Sequence, residues 1–295
     1  KYIECKKKYN IKKTNILFQS IYSNSKAVKN QSIYIIDAKK KIKQEYIRES
    51  ITKGAVALIT TKYYKNFLIP QYIVKNINKN KKHLLCKLFP KHPLNSVAVT
   101  GTNGKTSVVW FISQICELNN EFIKTYGTLG YYKNGKKILN SSLTTPELEI
   151  LYQSAFLKKK KNLYNFAFEV SSHSLAQNRI KNFPIDIAAI TNISHDHLDY
   201  HKTFENYKKS KLRLFTHELK KNGIAIINDN IKGAQTLKKK LIKKNQVISY
   251  GKKNSDVNII YIKNKIEIKI FSKKYLINPL IKLPSPAPNS ITANF

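Results

Sequence analysis

The chain has 295 residues, 42% hydrophobic and 11% aromatic, with a formal net charge of +37. That length predicts one large or two medium domains with cores of their own, and the apolar content excludes intrinsic disorder. The charge comes from 51 Lys against three Arg, spread along the chain beside 39 Ile and 30 Asn. This is the composition of an AT-rich genome rather than of a nucleic-acid surface, which favours Arg and exposed aromatics.

A solvated, lysine-rich exterior is therefore expected, with no nucleic-acid partner. No apolar run approaches the roughly 20 residues that span a bilayer, so no membrane partner is expected either. The chain begins at Lys1, contains no Met and shows no signal-peptide stretch, which reads as a fragment of a cytoplasmic protein. Cys5, Cys86 and Cys116 are widely spaced without a C-x-x-C pair and read as reduced thiols.

In chain order, apolar runs at 32–36 and 55–60 predict strands, and 46–54 predicts a helix stopped by Gly54. Two prolines within 88–95 break periodic structure, and the domain boundary is expected there. Beyond it an apolar strand at 96–100 feeds a helix at 105–119, followed by a strand at 125–131 and a helix opened by Thr145-Pro146-Glu147. Leu148, Leu151, Tyr152, Ala155 and Phe156 give that helix one apolar face. Further strands are expected at 165–170, 186–192, 223–228 and 246–250, with helices between. Residues 198–202 read as a loop, 256–283 as hairpin strands turning at Asn264-Lys265, and 284–295 as a loop. The fold class is α/β: a small N-terminal α/β domain over 1–90, then a P-loop domain with a mostly parallel sheet over 91–295.

The string T-G-T-N-G-K-T-S at 100–107 lies between an apolar strand and an amphipathic helix, the context in which a glycine-rich loop binds phosphate. Gly101 and Gly104 let backbone N–H groups face phosphate oxygens, Lys105 brings charge to the β/γ-phosphates, and the Thr106 hydroxyl suits Mg²⁺. Glu169 ends an apolar strand, where open α/β sheets bind ligands and where a carboxylate facing the loop can hold Mg²⁺. The segment 195–201 holds three His and two Asp. Zinc site, catalytic base and polar helix start all remain open for it; the phosphate loop upstream makes a magnesium and phosphate site the better fit.

The strings T-G-T-N-G-K-T, L-T-T-P-E at 143–147, E-V-S-S-H-S-L-A-Q-N-R at 169–179 and T-N-I-S-H-D-H-L-D-Y-H at 191–201, followed by Tyr207-Lys-Lys-Ser-Lys-Leu-Arg-Leu-Phe215, resemble the Mur ligase family, MurE type. The resemblance is dense over 96–216. It implies an ATP-dependent ligase of peptidoglycan synthesis that adds meso-diaminopimelate or lysine to UDP-MurNAc-L-Ala-D-Glu through an acyl phosphate. It also implies that Gly101, Thr102, Asn103, Gly104, Lys105, Thr106 and Ser107 wrap ATP, and that Thr144, Thr145, Ser171, Gln177 and Arg179 hold the UDP-sugar dipeptide. Thr106, Glu169, His197 and, as its carbamate, Lys211 would serve magnesium. Lys211 matches the position that the family carbamylates to N6-carboxylysine; the bland alternative is one more solvated lysine. Lys105, His197 and Lys211 would carry the chemistry.

In the first domain Ser23-Asn24-Ser25-Lys26-Ala27-Val28 stands where the family has Asp-Ser-Arg-x-Val, with Ser25 toward the uridine-nucleotide sugar, and Lys39-Lys40-Lys41 replaces a glycine-containing stretch. The family's third, Rossmann-like domain has no counterpart in the sequence, so a monomeric fragment, inactive alone, is expected. The competing readings are another Mur-superfamily ligase, a non-catalytic nucleotide-binding remnant and a nucleic-acid-dependent NTPase.

Overall fold

Alternation of short apolar runs with amphipathic segments produces sixteen strands and eight α-helices among the described residues of the computed structural model, which are 3–11, 16–36, 43–157, 163–252, 254–262, 265–271 and 273–277. In chain order they are β1 (Lys7–Tyr9), β2 (Ser20–Tyr22), β3 (Ser32–Ile36), α1 (Gln44–Thr52), β4 (Ala55–Thr60), β5 (Gln71–Ile73), α2 (Ile77–Leu88), β6 (Ser96–Thr100), α3 (Lys105–Leu118), β7 (Ile123–Gly127), β8 (Gly130–Lys133), β9 (Lys136–Leu139) and α4 (Leu148–Ala155). There follow β10 (Asn165–Glu169), α5 (Ser172–Ala176), β11 (Ile185–Ile190), α6 (Leu198–His201), α7 (Phe204–Arg213), β12 (Leu219–Asn228), α8 (Ala234–Leu241), β13 (Gln246–Tyr250), β14 (Val257–Ile262), β15 (Lys265–Ile270) and β16 (Lys273–Ile277).

The chain divides into two units, one of 1–92 with 147–161 and one of 93–146 with 162–295. In the first, a five-stranded sheet runs β1-β5-β4-β3-β2, parallel except for the edge strand β1. Its core joins Tyr22, Val28, Tyr34, Ile36, Ile47, Leu58 and Phe67. Helix α1 stops before Gly54, whose φ of +93° admits the left-handed turn into β4. Helix α4 belongs to this unit. Its Glu149 is buried, accepts hydrogen bonds from the Ser23 amide and hydroxyl, and pairs with Lys81.

In the second unit the sheet order is β16-β15-β14-β13-β12-β11-β6-β10-β7-β8-β9. The strands from β7 through β13 in space are parallel, and antiparallel hairpins extend both edges. β6 lies between β10 and β11, so the chain leaves it for one side of the sheet and later crosses to the other. The strand order reverses direction at β6, and the carboxyl ends of strands at such a switch point are where sheets of this kind bind ligands.

Two local expectations change. The strand expected at 125–131 is a hairpin of β7 and β8, reversed at Thr128-Leu129 because Gly130 takes a φ of +121°. The loop expected at 198–202 contains a helical turn, α6, which ends where Lys202 adopts a φ of +68° and Thr203 caps α7. β14 and β15 pair as a hairpin. Asn264 at its expected turn, Lys39-Lys40-Lys41 and 284–295 lie outside the described residues.

Candidate nucleotide and substrate site

The phosphate-loop string forms a tight connection from β6 into α3. Gly101 has a φ of +153°, and a side chain there would collide with the Thr191 hydroxyl. Gly104, at φ +81°, is the N-cap of the 14-residue α3 and supplies no side-chain cap, which leaves first-turn N–H groups for an anion. The loop is gripped from the end of β11. Thr191 Oγ1 donates to the Asn103 carbonyl at 2.6 Å, the Asn103 amide donates to Asn192 Oδ1 at 3.0 Å, and the Thr102 amide donates to the Asn192 carbonyl at 3.0 Å. Thr106 and Ser107 follow in the first turn of α3, half-buried.

Two ammonium groups converge on this loop. Lys105 Nζ donates to the carbonyls of Gly101 and Thr102, both at 2.8 Å, and Lys211 Nζ donates to the Gly101 carbonyl at 2.7 Å. Lys211 is 1% exposed, so the solvated-lysine alternative does not hold. Burial, and then the charge of Lys105, push its pKa down to about 7, against a weaker opposing pull from Asp196. Burial also lowers Lys105, partly offset by Glu169 and Asp196.

Glu169, at the tip of β10, is 1% exposed. Its Oε1 accepts from the Thr128 amide at 2.7 Å and its Oε2 from the Thr128 hydroxyl at 3.1 Å; that hydroxyl lies 3.2 Å from Thr144 Oγ1. Thr145 Oγ1 donates to the Glu169 carbonyl and accepts from the Ser171 amide, both at 2.9 Å. Arg179 Nη1 donates to the Thr145 carbonyl at 3.1 Å and its Nε to Gln177 Oε1 at 2.7 Å, while Gln177 Nε2 donates to the Tyr200 hydroxyl at 3.2 Å. Thr144, Thr145, Ser171, Gln177 and Arg179 thus share one polar network that ends at Glu169.

His197 sits at a φ of +52°, half-exposed, with its ring 4.8 Å from that of His173 and its Nε2 3.4 Å from Asp196 Oδ2. Burial, with neighbouring positive charge, holds His173 and His201 below the ordinary histidine range. Among the described residues no group of three or more His, Cys, Asp or Glu is placed to hold a metal, so the zinc alternative gains no support. Magnesium asks less of the protein, because it keeps waters and substrate phosphates as ligands. The hard oxygen donors of Thr106 and Glu169 fit it. Ser25 belongs to the other unit, where it is the buried first residue of a 3₁₀ turn (Ser25–Ala27) and hydrogen-bonds Tyr34 and Glu49.

Sequence reasoning gave no role to Thr128, Asn192 or Tyr207 and took Asp196 only as one member of the cluster at 195–201. Asn192, Asp196 and Tyr207 fall inside the strings that carry the resemblance and were within reach. Thr128 acts through a hairpin that its neighbours do not announce.

A phosphate loop at the carboxyl edge of a mostly parallel sheet, faced by a buried acidic residue on the adjoining strand, defines the class as a P-loop α/β protein. The Mur ligase middle domain matches residues 99–287, and the chain belongs to the Mur ligase family. A UDP-N-acetylmuramoyl-L-alanyl-D-glutamate–2,6-diaminopimelate ligase of Rickettsia montanensis is 38% identical over 238 residues, 78% of this chain and 49% of that protein. The chain spans about half the length of the curated relatives it matches. A solved ligase of the same description superposes with a TM-score of 0.70 at 24% identity, over 88% of this chain and 55% of that one. A MurF ligase from Thermotoga maritima in complex with ADP gives 0.56 at 18% identity, over 90% and 59%.

Proposed function

We propose that this chain is the nucleotide- and UDP-sugar-binding part of an ATP-dependent carboxylate–amine ligase of the MurE type, acting in the cytoplasm as a monomer in peptidoglycan synthesis. The observation that carries the reading is the convergence of Lys105 and Lys211 on one phosphate-loop carbonyl, an arrangement of like charges that an anionic ligand completes. The names of the relatives favour diaminopimelate over lysine as the amino acid added.

In this reading the terminal carboxylate of UDP-MurNAc-L-Ala-D-Glu attacks the γ-phosphorus of ATP, the bond to the β-phosphate oxygen breaks, and ADP leaves. The amine of the incoming amino acid then attacks the acyl carbon, expelling phosphate and losing a proton. Two anions must meet in the first step, and Lys105 with the first-turn amides of α3 neutralises the charge as it develops. Arg179, Gln177, Ser171, Thr145 and Thr144 orient the sugar dipeptide, and Ser25 serves the uridine-nucleotide end. Magnesium held by Thr106, Glu169 and His197 would add charge neutralisation at the phosphates.

Lys211 is suited to carbamate formation. A pKa near 7 leaves a free amine at neutral pH, whose lone pair bonds to the carbon of CO₂ while a proton departs to water. The product is a carboxylate-like oxygen donor in place of a repelling ammonium.

The substrate reading is tested by equilibrium binding of UDP-MurNAc-L-Ala-D-Glu to this chain and to Arg179→Ala. Loss of affinity in the variant is expected; equal affinity contradicts it. Ligation is tested by mass spectrometric detection of UDP-MurNAc-tripeptide made by a protein of the relatives' full length that contains this chain.

A further inference from the structure

Tyr207 is the largest wholly buried side chain on α7 and touches several parts of the site at once. Its hydroxyl lies 2.9 Å from Thr102 Oγ1 in the phosphate loop. The Thr102 hydroxyl also accepts from the Ser194 amide at 3.0 Å and lies 3.3 Å from the Ser194 carbonyl. The set is satisfied when Tyr207 donates to Thr102 and Thr102 donates to Ser194, one proton to each acceptor. Below the hydroxyl, the ring carries Lys211 Nζ 4.6 Å from its centroid, and its edges meet the rings of His201 and His197 at 5.3 and 6.2 Å.

The sequence spacing explains the geometry. Residues 207 and 211 are four apart on one helix and share a face, so the ring that reaches the loop also walls the ammonium. Burial raises the Tyr207 pKa, with the Thr102 contact opposing, which keeps the phenol protonated and a donor.

We infer that Tyr207 is a positioning residue that sets the phosphate loop and Lys211 in register: its hydroxyl holds Thr102, and its ring face holds the Lys211 side chain. The inference rests on the nucleotide-site reading above and deepens it. The two halves are separable, because phenylalanine keeps the ring and loses only the hydroxyl.

The test uses this chain. Affinity for ATP·Mg²⁺ is measured by calorimetry, and a Lys211 carbamate by ¹³C NMR in ¹³C-bicarbonate, for wild type, Tyr207→Phe, Tyr207→Leu, Thr102→Val and the Thr102→Val/Tyr207→Phe double variant. Tyr207→Phe is expected to bind nucleotide roughly three- to tenfold more weakly, the loss of one hydrogen bond, with its carbamate signal intact. The double variant should bind no worse than Thr102→Val alone, because both remove the same contact. Tyr207→Leu should lose the carbamate signal as well. Wild-type affinity in Tyr207→Phe, or additive losses in the double variant, overturns the inference. Lys105→Ala is run in parallel: if it too binds as wild type, the nucleotide reading has failed, whereas a loss there with none in Tyr207→Phe rejects the positioning role alone. Circular dichroism of each variant identifies any that do not fold, and the Phe variant, which leaves no cavity larger than one oxygen, keeps the test decisive.

Discussion

The ammonium groups of Lys105 and Lys211 donate to a single oxygen, the Gly101 carbonyl, at 2.8 and 2.7 Å. One lysine enters from the helix that follows the loop and the other from a helix more than a hundred residues later. Neither forms a side-chain ion pair among the described residues, although Glu169 and Asp196 lie near enough to oppose the loss of their charge. Burial and mutual repulsion thus work against holding both lysines charged at once.

That burial sets a pH dependence. Lys211 has a folded pKa of about 7 against an ordinary value of 10.5, so its protonated form is disfavoured in the fold. Below the folded pKa both states are protonated and the cost is complete; between the two values the unfolded chain binds the extra proton and stability rises with pH. Denaturant unfolding of wild type and Lys211→Met from pH 6 to 10 should show the variant more stable at low pH. The difference should shrink by at most about 1.4 kcal/mol per pH unit above neutrality. A constant difference would contradict the shift.

Gly101→Ala should destabilise the second unit by at least about 2 kcal/mol, since its methyl group meets the Thr191 hydroxyl and its φ of +153° is unfavourable for alanine. Chemical denaturation of the variant checks this, and a loss below about 0.5 kcal/mol, the scatter of surface substitutions, would show that the loop relaxes freely.

In the first unit, burial pushes the Glu149 carboxyl up, but Lys81 and the two Ser23 hydrogen bonds outweigh it and hold the group below its usual range. Its stabilisation is present above the unfolded carboxylate pKa and lost as pH falls through the folded one. Glu149→Ala leaves the partly buried Lys81 ammonium without its carboxylate and should cost about 3 kcal/mol at pH 7, the lower end for a broken buried pair. A smaller deficit is expected in acid, measured by urea unfolding; a pH-independent one would refute the pairing.

Much of this architecture was legible in the sequence. The apolar strand at β6, the glycine pair and the amphipathic α3 announced a phosphate loop, and Gly54 marked the end of α1. What local pattern could not carry was tertiary address. Helix α4 showed its apolar face, yet Glu149 on its other side finds Lys81 and Ser23 from far earlier in the chain. By local pattern Lys211 is one of 51 lysines and only the resemblance of its string marked it out; its burial follows from α7 folding across the loop. Thr128 reaches Glu169 only because Gly130 reverses the chain after β7.

Glu169 gives a prediction about magnesium. If this buried carboxylate holds the ion, Glu169→Gln should lessen the gain in ATP affinity that Mg²⁺ confers over chelator, while binding without the metal improves, because a negative charge facing the phosphates is gone. Paired titrations with magnesium and with chelator read both effects. An undiminished magnesium gain would remove Glu169 from the metal site.

The central claim is that the loop from Gly101 to Ser107 binds nucleotide phosphates through Lys105. Calorimetric titration of ATP·Mg²⁺ into this chain and into Lys105→Ala tests it most directly. Measurable binding by the chain and a loss of more than about tenfold in the variant, the scale of a charge-assisted hydrogen bond, is the predicted result. Equal affinity in the two proteins would contradict the assignment.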